Sequence, residues 1–304
     1  LILSLFMIAC GENSVESDWP LNADTGLRMS FLQPVPPLPV WDGNPYSELK
    51  ESLGKTLFGD ARLSGSGKAA CGTCHLSMTL FQSSTPLDLP DRSYPDLAPS
   101  LHRNAPSLMN LVYAPMFRWD GSHVDDELSV EDNLYEMMVL PYAEANMNLS
   151  QLSVSEGERV DIEGAQLAMH RKLTQELPEY RELFKEAFDE DIQEMGPQEL
   201  WRLTGKALAQ FIRVAVSKNS AFDRWNAGES GAISDAAIRG AALFEGKAAC
   251  IVCHNGPFLS DFQFHNISTS PPGEKGTRAD EGRYLATGLE RDRGKFLTPM
   301  LRSS

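Results

Sequence analysis

The 304-residue sequence is poor in basic residues: 27 Lys and Arg stand against 42 Asp and Glu, a formal net charge of −15. That balance excludes nucleic acid as a partner, because phosphate backbones are held by lysine- and arginine-rich faces. It is compatible with a basic protein partner. Sustained alternation of apolar and polar residues is missing, so a large sheet is not expected and the fold class is mainly α. Beyond residue 9 no apolar run approaches the length of a membrane-spanning helix. Cysteine is scarce too: of five, Cys10 stands alone and the other four fall into two close pairs.

Those pairs carry the chemistry. Cys71-Gly72-Thr73-Cys74-His75 returns as Cys250-Ile251-Val252-Cys253-His254, each preceded by Gly-Lys-Ala-Ala (67–70 and 246–249). Leu57-Phe58 and Leu243-Phe244 lie shortly upstream, each three residues after a glycine, Gly54 and Gly240. Two thiols three positions apart followed at once by a histidine read as a c-type haem attachment site. The cysteines form thioethers with the haem vinyl groups and the adjacent imidazole binds the iron. Structural zinc needs four closed N/S ligands, and a redox dithiol needs no histidine. Neither accounts for the histidine in both copies. Two haem c groups are expected, with His75 and His254 as iron ligands, and no cysteine pair remains for a disulfide.

Leu1–Ala9 reads as the tail of a secretory signal peptide. Met7-Ile8-Ala9-Cys10 resembles a bacterial lipobox with Cys10 as the lipidated residue, although leucine is usual where Met7 stands. An incidental cysteine after a plain signal tail is the alternative. The expected location is the periplasm, with membrane contact only through a lipid anchor. Residues 11–44 are polar and then proline-rich, which suggests an extended tether. A helix follows Asn44-Pro45, with Leu49, Leu53 and Leu57 on one face, and residues 85–99 read as a long loop. Helices are expected over 162–190, 197–217 and 232–245. Ser217 to Trp225 reads as a crossing between domains. The expected division is 1–10 leader, 11–44 tether, 45–225 first domain and 226–304 second domain.

Several further segments run in a definite order: Leu53-Gly54-x-x-Leu57-Phe58, Arg103-Asn104-Ala105-Pro106-Ser107-Leu108, Trp119-Asp120-Gly121, and Phe211-Ile212-Arg213 through Ser220-Ala221-Phe222-Asp223-Arg224. They continue with Cys253-His254-x-Gly256-Pro257, Asp261, Phe264-His265-Asn266 and Lys295 through Pro299-x-Leu301-Arg302. In this set, across roughly residues 45–304, the chain resembles the bacterial di-haem cytochrome c peroxidase and MauG family. The resemblance implies two cytochrome c-like domains. It implies that peroxide reacts at the haem of His75 and that electrons arrive at the haem of His254. Trp119 matches a tryptophan lying between the two haems, and Asn104 matches a ligand of an interdomain calcium completed by carbonyls of Leu297 to Pro299. For the acid–base glutamate, Glu144 fits by position after Pro141, whereas Glu136-Met137 has the family's dipeptide but precedes that proline.

Two departures bear on activity. At the spacing where many family peroxidases carry a distal histidine, this chain has Pro95 or Asp96, and His102 lies directly beside Arg103. The sixth ligand of the second haem is expected beyond residue 304: methionine would mark a peroxidase and tyrosine a MauG-type oxidase. Met300 occupies the variable position of its segment and is not the expected ligand. Three functions therefore stand. The first is a peroxidase taking electrons from a small cytochrome c or copper protein to reduce hydrogen peroxide. The second is an oxidase of protein side chains such as tryptophan, acting through a high-valent di-haem state. The third is a di-haem electron carrier without catalysis.

Overall fold

The computed structural model describes residues 33–64, 67, 70–75, 106–121, 162–268 and 280–302. The expected lipidation site Cys10, calcium ligand Asn104 and glutamates Glu136 and Glu144 lie outside the described residues.

Two helices form the centre of the first half. Helix α1 (Glu48–Gly59) carries Glu48 and Glu51 in its first turn, where negative charge suits the helix dipole. Its inward face is Leu53, Gly54, Leu57 and Phe58. Leu49, expected on that face, stays exposed. After the one-turn helix α2 (Cys71–Cys74), helix α3 (Ile162–Arg171) leads toward helix α4 (Glu179–Phe188), and helix α5 (Pro197–Arg213) follows. Proline suits the first turn of α5 because its missing N–H has no partner there in any case. Leu200, Trp201, Thr204, Ala207, Leu208 and Ile212 of α5 are buried.

Helices α1 and α5 make the most extensive contact between elements. They approach closely because position 54 has no side chain: a Cβ there would sit 2.0 Å from the Ala207 carbonyl oxygen. Glycine permits that backbone-to-backbone approach.

The expected single helix over 162–190 is divided. Between α3 and α4 lies a widened π-helical turn, Lys172–Glu176, and then Leu177 leaves helical geometry at φ −127°, ψ 71°. Pro178 explains the break, since proline disfavours the helical region for the residue before it and donates no hydrogen bond. Lys172 is buried in the widened turn, and its Nζ donates to the carbonyls of Arg62 and Ser64, each at 2.6 Å. Burial lowers its pKa. These bonds fix the start of the loop leading to the first Cys-x-x-Cys-His motif.

The expected tether is corrected over its last residues. Residues 33–44 form no helix or strand, yet they dock on α5. Trp41 is buried with the Arg213 guanidinium 5.2 Å from its ring centre. Lys206 Nζ donates to Gly43 O at 2.9 Å, Gln210 Nε2 to Asn44 O at 2.7 Å and Arg213 Nη2 to Pro39 O at 2.6 Å. Residues 206, 210 and 213 share one helix face. The extended segment supplies carbonyls, and that face supplies the donors.

The second half begins where a simple crossing was expected. Helix α6 (Ala221–Asn226) has reciprocal caps: Ser220 Oγ accepts from Asp223 N at 3.2 Å, and Asp223 Oδ2 accepts from Ser220 N at 2.8 Å. Helix α7 (Asp235–Glu245) is capped by Ser234. Strand β1 (Phe264–His265) pairs antiparallel with β2 (Phe296–Leu297), Phe264 facing Leu297 and His265 facing Phe296. Helix α8 (Tyr284–Thr287) lies between them in sequence. The expected helices over 197–217 and 232–245 are thus present in shorter form.

Replacing Gly54 with alanine forces α1 away from α5. A loss of about 1–3 kcal/mol of stability is expected from overpacking, read by chemical denaturation of the purified protein.

Candidate haem sites

Both motifs are built on the same short backbone turn. In the first, α2 is closed by Thr73 Oγ1 accepting from Ala70 N at 3.0 Å, and His75 N donates to Cys71 O at 2.9 Å. In the second, residues Cys250–Val252 form a single 3₁₀ turn and His254 N donates to Cys250 O at 2.9 Å. Each histidine therefore leaves its turn at the same point relative to the first cysteine. Around the first motif, Phe58 lies against Gly72, where an added Cβ would be 3.5 Å from the ring, and the rings of Phe58 and Phe211 are 5.1 Å apart. Cys71 packs against the main core.

In the second motif the histidine ring is held by a main-chain carbonyl. His254 Nδ1 lies 2.8 Å from Leu259 O. A carbonyl can only accept, so Nδ1 is the donor, and in the neutral imidazole Nε2 is then the nitrogen with the lone pair. This is the tautomer that an iron-binding histidine requires. The accepting turn is compact: Leu259 N donates to Gly256 O at 3.2 Å and Ser260 N to Asn255 O at 2.9 Å. Leu259 and Phe262 have left-handed backbones, φ 54° and 51°. For residues bearing a side chain, such conformations cost of order 1–3 kcal/mol each and persist where neighbours enforce them. Here Ser260 Oγ donates to Thr298 O at 2.7 Å and accepts from Phe262 N at 3.0 Å.

A haem c group fits these residues. In the second motif Cys250 and Cys253 share one turn, His254 offers a free ring nitrogen, and Phe222, Ile238, Phe244, Ile251 and Leu259 form an apolar set around buried Trp225, each only partly covered by protein; in the first, the Cys74 side chain lies outside the described structure. The zinc alternative fits less well. Cys253, Asp261 and His265 bring ligand atoms within 4.8 Å of one another, but this is three ligands, and it omits both Cys250 and His254. His265 Nε2 instead pairs with Asp261 Oδ2 at 2.7 Å, and Asp261 N donates to Cys253 O at 2.8 Å. Burial pushes the Asp261 carboxyl up, but hydrogen bonds from Gln263 N and His265 outweigh it and hold it below the usual carboxylate range.

Trp119 is half-buried where the two halves meet. Its carbonyl accepts from Leu297 N at 2.8 Å, and Arg283 Nη1 donates to Asp120 O at 3.4 Å. Gly121, at φ 68°, leaves no room for a side chain: a Cβ would lie 2.5 Å from both Arg283 Nη1 and the Phe264 ring. Tyr113 and Phe258 stack across the same junction with ring centres 4.7 Å apart. Met300 packs against the core of the first half. Among the carbonyls named for calcium, that of Thr298 already accepts from Ser260 Oγ. A carbonyl has two lone pairs, so hard-oxygen ligation there is still compatible.

The junction also depends on a residue to which the sequence alone assigns no role. Asn110 is fully buried with a left-handed backbone, φ 61°. Its N–H donates to Ala215 O at 2.8 Å, its Oδ1 accepts from Ser217 N at 3.0 Å, and its Nδ2 donates to Arg302 O at 3.4 Å. Asparagine tolerates this backbone better than most residues, which was the signal available.

Two repeated c-type haem turns in a mainly helical chain of two halves define a dihaem cytochrome-type oxidoreductase. The model of the di-haem cytochrome c peroxidase family matches residues 48–231, and the chain belongs to that family. Membership implies haem c as cofactor and two cytochrome c-like domains. A cytochrome-c peroxidase of Denitromonas iodatirespirans is 33% identical across 89% of this chain and 70% of its own length. The methylamine utilization protein MauG of Methylophilus methylotrophus is 35% identical across 88% of this chain and 68% of its own. Among solved structures, a MauG-like protein associated with microbial copper homeostasis is 25% identical, with a TM-score of 0.65 over 89% of this chain and 74% of its own. A diheme peroxidase of Burkholderia thailandensis, 20% identical, shares the fold with a TM-score of 0.63 over 90% of this chain and 74% of its own.

Replacing Asn110 with alanine strands the Ser217 N–H and keeps a strained backbone. A loss of about 1–3 kcal/mol is expected in denaturant titration. Asn110→Gly relieves the backbone but not the lost hydrogen bonds, so it should recover only part of that. Acid stability gives a second check. Burial pushes the Asp223 carboxyl up, but Arg302 and Ser220 outweigh it and hold it below the usual range. A depressed folded-state pKa gives stability that is complete above the unfolded value, about 4, and is lost as pH falls through the folded value. The melting temperature should therefore drop as pH is lowered below about 4, and Asp223→Asn should lack this part of the drop.

Proposed function

We propose that the protein is a periplasmic dihaem peroxidase, lipid-anchored through Cys10, that reduces hydrogen peroxide to water with electrons from a small cytochrome c or copper protein. Cys71, Cys74 and His75 hold the haem at which peroxide reacts, and Cys250, Cys253 and His254 hold the electron-accepting haem, in domains spanning 45–225 and 226–304. The observation that carries this reading is the 2.8 Å contact of His254 Nδ1 with Leu259 O, which supports iron ligation at the second motif by leaving Nε2 for the metal. When bound, haem iron supplies one-electron chemistry and a coordination position for peroxide.

The overall reaction takes one peroxide, two electrons and two protons to two waters. One peroxide oxygen must lose a proton, and the other, which keeps its own hydrogen, must gain one to leave as water. Glu144 is the residue assigned to that transfer, with Glu136 as the alternative, because a carboxylate within hydrogen-bond reach can take and return the proton. Trp119, in the segment clamped between the halves, is assigned the relay of electrons. Asn104, with carbonyls from Leu297 to Pro299, is assigned a calcium. A second reading, oxidation of side chains on a protein substrate, is favoured by Pro95 and Asp96 standing where many family peroxidases carry a histidine.

The test uses the full-length holoprotein. Two covalently attached haems by mass, and peroxide turnover with a reduced cytochrome c or copper protein, are expected. Glu144→Gln should lower kcat by about 10²-fold or more, while Glu136→Gln leaves it near the parent value. Slow turnover with the redox proteins, together with peroxide-dependent oxidation of tryptophan in an added protein, would transfer the assignment to the second reading. No spectral response to peroxide at either haem would leave the electron carrier.

A further inference from the structure

Three segments that the haem chemistry does not use converge on one side chain. Arg302 is buried. Its Nε donates to Pro257 O at 2.6 Å, its Nη1 pairs with Asp223 Oδ1, and its own carbonyl accepts from Asn110 Nδ2 at 3.4 Å. The other oxygen of Asp223 accepts from Ser220 N and Oγ, both at 2.8 Å. One residue thus joins the turn after His254, the N-terminus of α6 and the first half of the chain.

We infer that Arg302 is a positioning residue for the second haem, setting the orientation of the His254 ring through the Pro257 turn; the inference rests on the assignment of His254 as an iron ligand. Pro257 lies inside the turn closed by Ser260 N on Asn255 O at 2.9 Å. That turn carries Leu259, whose carbonyl holds His254 Nδ1. Leu259 and Phe262, shortly after Pro257, have left-handed backbones, φ 54° and 51°, which residues bearing a side chain adopt at a cost, so the turn does not keep this shape by its own preferences. Contacts from outside the turn enforce it: Ser260 Oγ on Thr298 O and Arg302 Nε on Pro257 O, both from the stretch 298–302, and the Phe258 ring stacked on Tyr113 of the first half.

Arginine is the residue this role needs. Its planar fork aims Nε and Nη1 at two acceptors fixed relative to each other, where lysine would offer one point charge. A buried ion pair is weak grounds for stability alone, since desolvation offsets much of the attraction. Its effect here is geometric. Once the guanidinium is tied to Asp223, the Pro257 carbonyl has one place to be, and with it Leu259 O. A hydrogen bond at Nδ1 raises the basicity of the opposite ring nitrogen, so a displaced turn weakens donation from His254 to iron.

The experiment uses the full-length holoprotein and the variants Arg302→Lys, Arg302→Gln and Asp223→Asn. The readouts are low-temperature EPR and a potentiometric titration that resolves the two haems, after haem content is counted by mass. Arg302→Lys should keep both haems and leave the signal of the first unchanged. It should shift the g-values of the second haem and raise its midpoint potential, because a less basic ligand favours ferrous iron. Asp223→Asn should shift the same signal in the same direction, and the double variant should shift it no further than the larger single change. If Arg302→Gln does not fold, Arg302→Lys and Asp223→Asn still decide the matter. An unchanged second-haem signal in both, with only a lower melting temperature, overturns the inference and leaves Arg302 a structural residue. A parent protein carrying no haem at Cys250 and Cys253 overturns the ligand assignment itself, and the inference with it.

Discussion

The closeness of α1 to α5 is the constraint on which most of the first half depends. Gly54 lets one backbone rest on the Ala207 carbonyl of the other. With the axes that close, Phe58 reaches Phe211 on one side and Gly72 of the first motif on the other. On another face of α5, Lys206, Gln210 and Arg213 collect the carbonyls of residues 39–44, which cover Gln210 and Arg213. A short sequence feature, one glycine in a helix, therefore has consequences at both ends of a domain. Glycine in a helix interior costs about 1 kcal/mol relative to alanine, and the packing it permits more than offsets that cost.

What could be read from the sequence was whatever the chemistry makes local. Covalent haem attachment confines two thiols and an imidazole to five consecutive residues, so both motifs were legible without any fold. Helices were legible through apolar spacing, because burial acts on each turn separately. The break at Pro178 was hidden by an apolar set that runs across it: Leu173, Leu177 and Tyr180 are all buried although the helix between them is interrupted. The docking of residues 34–44 was not legible, since a proline-rich stretch looks like a tether until the donors that satisfy it, some 160 residues away in the chain, are in view. Asn110, Asp223 and Arg302 belong to the same class. Asp223 and Arg302 stand in segments that carry the family resemblance, yet only the assembled chain shows that these residues bond to one another across 79 and 192 positions.

The two motifs share a backbone turn and little else. Around the first, the protein supplies a continuous core of buried residues from Trp41 to Ile212. Around the second, Trp225 is the one fully buried member of an otherwise half-covered apolar set among the described residues. The polar framework differs in the same way. The first motif is approached by a loop held through main-chain carbonyls, and the second is backed by side chains from a distant stretch that also touches the first half. Family membership explains the pairing of two such sites in one chain.

The buried contact of Lys172 with the carbonyls of Arg62 and Ser64 has a consequence for behaviour in salt. Dissolved ions screen exposed pairs such as Arg181 with Asp191 and reduce the self-repulsion of a chain with a net charge of −15. They have no access to an ammonium enclosed by peptide oxygens. Changes in ionic strength will therefore alter how the surface meets other molecules while the path into the first motif keeps its shape. The electrostatics that hold the interior are in this way separated from those that the surrounding medium can reach.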